Sequence, residues 1–170
     1  KDQRVKRDGL WKQAESAKGV EKARFLGSGY DVMAYEMHRY YNKKELVKQL
    51  KSLDPKDDSG YVIKYRFDVN SIARKEVMPI IKAKKHEQAL QLIRNYLKSD
   101  KLLMEQRQQL SVMLYTIYMS WKGHEQQAEK QLEDVIQMQP QSRTGKAAHN
   151  VLKEIQGRKR LAELKKELST

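Results

Sequence analysis

Apolar positions along this 170-residue chain recur at helical rather than strand spacing over most of its length. The clearest stretch starts at Ala128, with Leu132, Val135 and Ile136 at offsets of four, seven and eight, and Pro140 at twelve. Those offsets put the four apolar residues on one helix face. Proline has no backbone N–H to donate, so it marks where that helix has stopped. The pattern recurs 39 positions earlier, where Ile93, Tyr96 and Leu97 follow Ala89. The lead-in recurs too: His86-Glu87-Gln88 precedes Ala89, and His124-Glu125-Gln126-Gln127 precedes Ala128. A third copy aligns on Pro55, with Val47, Leu50 and Leu53 in the places of Leu132, Val135 and Met138. Gly60 and Gly145 each lie five residues past the proline. Three segments thus share one order of helix, stop and new helix.

The same spacing predicts a short amphipathic helix over 8–18, with Leu10, Trp11, Ala14 and Ala17 inward. Gly27-Ser28-Gly29 reads as a loop. Helices follow over 30–41 and 43–53, the second with Asn42 as N-cap and Glu45 as its reciprocal partner. A longer helix runs near 59–83 and a return helix over 86–98. Residues 101–121 form a helix closed by Gly123, 124–138 return, and 142–168 form a final helix or pair of helices. One stretch competes with this map. Tyr61, Ile63, Tyr65, Phe67 and Val69 alternate as a strand would. The repeat phase favours a helix there, with Val62, Tyr65, Val69, Ile72, Ala73 and Val77 on one face and a kink near Pro79. Helix is expected to exceed roughly 65% of residues, against a base rate of about 30–35%.

The unit Ala128, Leu132, Val135, Pro140, with Val112, Tyr115 and Met119 on the preceding helix, resembles the tetratricopeptide repeat (TPR) family. The resemblance is good over 108–142, fair over 72–101 and weak over 30–57. It implies an all-α fold, with antiparallel helix pairs stacked as a short right-handed solenoid and a C-terminal capping helix. The corresponding division is a basic N-terminal arm with a short helix over 1–29, TPR-like repeats over 30–142 and the cap over 143–170. Departures are plain. Units are spaced by about 39–45 residues, not the usual ~34, Lys101 stands where the second unit would have proline, and Lys43 replaces the small alanine of the first. A shorter match, Leu53-Asp54-Pro55, Gly60 and Lys64-Tyr65, looks like helical segments attached to thioredoxin-like proteins of the bacterial envelope. That resemblance implies an envelope or periplasmic setting ahead of the cytoplasm. The opening Lys1-Asp2-Gln3, without methionine, leads us to expect upstream sequence, whether a leader, an anchor or other chain.

Composition narrows the chemistry. There is no cysteine, which removes disulfides, thiolate metal sites and cysteine nucleophiles. No apolar run approaches the ~20 residues of a membrane span. The net charge of +13 divides unevenly: +4 over 1–29, +5 over 30–100, −1 over 101–142 and +5 over 143–170. Such a surface admits nucleic acid or anionic membrane, and equally a solvated lysine-rich helical face. No Walker loop or GxSxG elbow occurs. Asp54, Asp57 and Asp58 lack calcium-loop spacing and read as helix caps. His86 and His124 occupy equivalent helix starts, which the repeat explains without a metal. No catalytic residue, cofactor site or metal site is expected.

Nine tyrosines accompany two phenylalanines. Tyrosine packs its ring and keeps a wet hydroxyl, so these suggest core packing and at least one aromatic-lined groove. The basic groups Lys82, Lys84 and Lys85, then Arg158-Lys159-Arg160 and Lys165-Lys166, read as solvated faces. The last helix carries an apolar stripe of Leu152, Ile155, Leu161, Leu164 and Leu168. The function expected is a non-enzymatic scaffold or adaptor that binds a protein or peptide segment. Lys64, Asp68, Arg107, Gln108 and Ser111 are its solvent-facing candidates on the first helices of the units, with Tyr115 at the margin. The alternative is a basic helical protein with weak nucleic-acid binding.

Overall fold

A computed structural model describes residues 2–32 and 43–170. Helix accounts for 81% of the described residues and none of them forms a strand. The chain divides into two compact units, one of residues 1–67 and 98–102, the other of residues 68–97 and 103–170.

The first unit contains α1 (Asp2–Ser16), α2 (Gly19–Val32), α3 (Lys43–Leu53) and α4 (Tyr61–Arg66). Its core joins Ala23, Tyr30, Leu46, Leu50, Tyr61, Val62 and Tyr65. Within this unit α1 packs on α2, and α2 supplies part of the core. Ala14 is buried as expected, while Leu10, Trp11 and Ala17 are half-buried. The expected loop at Gly27-Ser28-Gly29 is instead a turn of α2. The two glycines serve close packing there: a Cβ on Gly27 would overlap the Tyr61 ring, and one on Gly29 the Trp11 indole. Most of the expected helix over 30–41, with His38 and the Asn42 cap, lies outside the described residues.

The strand-like alternation from Tyr61 resolves as helix, and its buried aromatics explain the pattern. Tyr61 and Tyr65 stack with ring centroids 6.1 Å apart, and Tyr30 meets Tyr65 edge-on at 4.5 Å. The acidic cluster before α4 is a capping device. Asp57 accepts the N–H groups of Val62 and Ile63 at 2.8 and 2.9 Å, and Asp54 those of Asp58 and Ser59 at 2.9 and 2.8 Å. Burial works to raise the Asp54 carboxyl, but hydrogen bonds from Ser59 and Asp58 and the charge of Arg24 outweigh it and hold it below its usual value. Burial pushes Asp57 up, the Asp54 charge adding to it. A folded-state value lowered for Asp54 means stability that is present at neutral pH and lost as pH falls through that value. Asp54→Asn is expected to lower the melting temperature at pH 7, with the deficit closing below the ordinary carboxylate value of 3.8. Thermal melts of both proteins between pH 2 and 7 check this.

The expected long helix near 59–83 is broken at Phe67-Asp68, where the chain passes from the first unit to the second. Phe67 has ψ 118° and Asp68 φ −143°, so neither is helical. The Asp68 carboxylate accepts the Ser71 N–H at 3.0 Å and restarts the chain as α5. This helix begins over Val69–Ser71, widens to π geometry over Ile72–Val77 and returns to α over Met78–Lys82. Pro79 has no N–H for the Lys75 carbonyl, so the irregularity expected at Pro79 falls in the turn before it. Then come α6 (His86–Leu97), α7 (Met104–Met119), α8 (Glu125–Met138) and α9 (Arg143–Leu168). Helix α7 touches α5, α6, α8 and α9.

Ala89 and Ala128 are fully buried, and Ile93 and Leu132, each four residues further on, are buried too. Helix α6 packs on α7, and α7 on α8. With neither alanine exposed, a larger side chain must displace its neighbours, and Ala128→Leu is expected to cost about 1–3 kcal/mol by overpacking. Urea unfolding curves of Ala128→Leu and Ala89→Leu check it. Unchanged midpoints in both would mean the alanines are not at a seam.

Candidate functional site

A cavity of about 520 Å³ opens between α5, α7 and α9 within the second unit. Val69, Asn70 and Ala73 line it from α5. From α7 come Glu105, Val112, Tyr115 and Thr116, and from α9 Arg143, Thr144, Ala147 and Val151. Leu132 and Ala148 line it as well, and they belong to a core with Val135 and Leu152 against which Val112, Tyr115 and Val151 pack. The wall is thus mostly apolar and small, with a carboxylate and a guanidinium contributed by Glu105 and Arg143. A concave apolar trough with a few polar groups can bury side chains of a ligand and fix their orientation.

The expected partner-binding residues are not gathered at this trough. Lys64 belongs to the first unit, where its ammonium pairs with Asp31 at 2.7 Å and lies 5.9 and 5.5 Å from the Tyr61 and Tyr65 ring centroids. The Tyr65 hydroxyl donates to the same Asp31 carboxylate. Asp68 is exposed and works as the N-cap of α5. Arg107 is half-buried and donates to the Leu97 carbonyl at 3.0 Å.

Gln108 and Ser111, expected to face solvent, are buried at 0% and 2% exposure. The reason is the position of α7, which packs against α5, α6, α8 and α9, so polar residues on it are not automatically outward. Gln108 serves the turn between α8 and α9. Its amide nitrogen donates to the carbonyls of Val135 and Gln139 at 2.9 and 3.0 Å, and its oxygen accepts from the Ser142 hydroxyl at 2.7 Å. Ser142 in turn accepts the Gly145 N–H at 2.9 Å and caps α9. One side chain therefore satisfies the carbonyl end of α8 and braces the start of α9. Of the six expected residues, Tyr115 alone lines the trough.

The trough was legible only in part. Val112 and Tyr115 stand on one face of α7 at helical spacing, which the sequence shows. The opposing wall comes from Thr144, Ala147 and Val151, small residues with no local signal of binding. Tyrosines contribute less to an open surface than expected: Tyr30, Tyr61, Tyr65 and Tyr118 are buried, while Tyr35, Tyr40 and Tyr41 lie outside the described residues.

His86 and His124 do come close, through a third ring. His124 stacks on Trp121 with centroids 3.7 Å apart and His86 on the same indole at 5.2 Å. Among the described residues, no group of three or more His, Cys, Asp or Glu is placed to hold a metal ion. No helix among them is long and apolar enough to cross a membrane. Compared with protein-family models, with curated proteins and with solved structures, the chain matches none.

Proposed function

We propose that the protein is a non-enzymatic scaffold that binds an extended or helical protein segment in the trough between α5, α7 and α9. The observation that carries this reading is the trough itself: about 520 Å³, mostly apolar, and lined by alternate helices of the second unit. Alternate helices lining one concave face is what a TPR-like stack of antiparallel helix pairs would produce. On that reading α5 and α6, then α7 and α8, are successive pairs, Ala89 and Ala128 are their seams, and α9 begins the cap. The side chains that most suggest chemistry already have structural work. Asp54 and Asp57 cap backbone, and His86 and His124 stack on Trp121.

The test uses exposed trough residues, so that folding is spared. Thr116 and Ala147 line the trough and are exposed. Peptides selected from a random phage library on the parent protein are expected to bind the variant Thr116→Glu/Ala147→Glu about tenfold or more weakly, a loss of about 1.4 kcal/mol. Its melting temperature should match that of the parent. Selected peptides that bind both proteins equally would remove the trough from the account. Oligonucleotide binding that is tight and survives physiological salt would favour a nucleic-acid reading, because simple phosphate contacts weaken steeply with salt.

A further inference from the structure

The second half of α9 carries a surface that the trough does not use. From Gln156 onward every residue is exposed. Three leucines are among them, Leu161, Leu164 and Leu168, with 54%, 39% and 88% exposure. The rotation of the helix shows that they are not a continuation of its buried face. Leu152 is buried, Ile155 is half-buried and Lys159 pairs with Glu129 of α8, so this line faces the body of the unit. Leu161 lies nine residues past Leu152, about 180° around an ideal helix. The sequence pattern had merged the two lines into one stripe; the structure separates them.

Gly157, Leu161, Leu164 and Leu168 are spaced four, three and four apart, the alternation of a coiled-coil seam. The seam is narrow. Arg158 and Lys165 flank it on one side, Arg160 and Glu167 on the other. A membrane-surface helix needs a broader apolar face than this. A second copy of the same helix is also a poor partner. In parallel pairing Arg160 of one copy would meet Lys165 of the other, and in antiparallel pairing the Arg158–Lys165 repulsion offsets the Arg160–Glu167 attraction, so charge favours neither. Three of the four flanking positions are cationic, and flanking charges set partner choice.

We propose that this seam docks an acidic amphipathic helix of another protein, with apolar residues at its own seam and Glu or Asp beside them. The leucines supply the buried contact, and Arg158, Arg160 and Lys165 select for the acidic flanks. Arg158 and Arg160 pair with Glu154 and Glu163 along the helix at 3.5 Å each. Those pairs are solvent-exposed and worth little, so they exchange for the partner's carboxylates. The seam is about two heptads long, so the complex should be weak and sensitive to salt. This proposal stands apart from the trough and does not depend on it.

The test uses the full chain and a fluorescent synthetic peptide of three heptads with Leu at the seam and Glu at the flanks. Two controls accompany it: the same peptide with Lys at the flanks, and the same composition shuffled so that the leucines share no face. The acidic seam peptide is expected to bind, and both controls to bind about tenfold or more weakly. Leu161→Asp/Leu164→Asp, at exposed positions, should lose binding with an unchanged melt. Arg160→Glu/Lys165→Glu should reverse the preference toward the Lys-flanked peptide, which loss of folding could not do. Equal binding of the shuffled peptide would reduce the effect to net charge and overturn the proposal. Leucine-dependent binding to vesicles of phosphatidylcholine and phosphatidylserine without peptide binding, or a leucine-dependent dimer in ultracentrifugation, would overturn it too.

Discussion

Gln108→Leu is expected to destabilise the protein by about 2–5 kcal/mol, although leucine fits the volume and suits a helix. The wild-type side chain is fully buried and makes three hydrogen bonds, two to the carbonyls of Val135 and Gln139 and one to the Ser142 hydroxyl. Leucine can replace none of them. A buried carbonyl left without a donor costs about 1–3 kcal/mol. That cost falls on the Val135 carbonyl, because the Gln139 carbonyl also accepts from the Ser142 N–H and hydroxyl at 3.3 and 3.0 Å. Loss should spread to α9, because Ser142 is its N-cap and Gly145 sits so near Gln139 that a Cβ there would overlap its carbonyl oxygen. Urea unfolding measures the cost, and amide exchange in α9 shows its spread. Gln137→Leu, at an exposed position, should fall within about 0.5 kcal/mol of the parent. Equal stability of the two variants would mean that Gln108 does not brace the turn.

The second large effect is expected at Gly27. Two opposing terms act there. Any larger residue except proline is a better helix former than glycine, by up to about 1 kcal/mol for alanine. Against this, a Cβ would overlap three ring carbons of Tyr61 near its stem. Tyr61 is buried and its hydroxyl is hydrogen-bonded to Ser28 at 2.9 Å, so the ring has little freedom to move aside. Sterics should win, and Gly27→Val is expected to cost about 2–4 kcal/mol. Gly9 provides the contrast, since its Cβ would meet nothing within 4 Å. Gly9→Ala should gain up to about 1 kcal/mol by helix propensity alone. Opposite signs at two helical glycines, measured by thermal and urea unfolding, separate packing from propensity. Two gains would return Gly27 to the loop that its sequence suggested.

These sites also mark where sequence reasoning succeeds and fails. Helix 43–53 was legible to the residue, and 86–98 and 124–138 within one residue at an end, because one-faced helices announce themselves by spacing. The all-α class followed from the same spacing, even across the alternating tyrosines. Gly27 and Gly29 misled because glycine is equally the residue of turns and of close helix contacts, and spacing cannot separate the two. Gln108 and Ser111 misled because polarity predicts exposure only on a helix with an open side. Helix α7 packs against α5, α6, α8 and α9. Its completely buried residues include Leu110 and Ile117 rather than the apolar line of Val112, Tyr115 and Met119. Val112 and Tyr115 are half-buried at the trough, and Met119 is exposed. The trough wall on α9 had no signature at all, since alanine, threonine and valine bind only through the shape that other helices impose.

The central claim is that the trough between α5, α7 and α9 receives a protein segment. Hydrogen–deuterium exchange on the full chain, with and without a saturating library-selected peptide, tests it most directly. The account predicts slowed exchange in Val69–Ser71 and the first turns of α7 and α9, with α1 to α4 unchanged. Protection confined to other elements, or equal protection in the Thr116→Glu/Ala147→Glu variant, would contradict it.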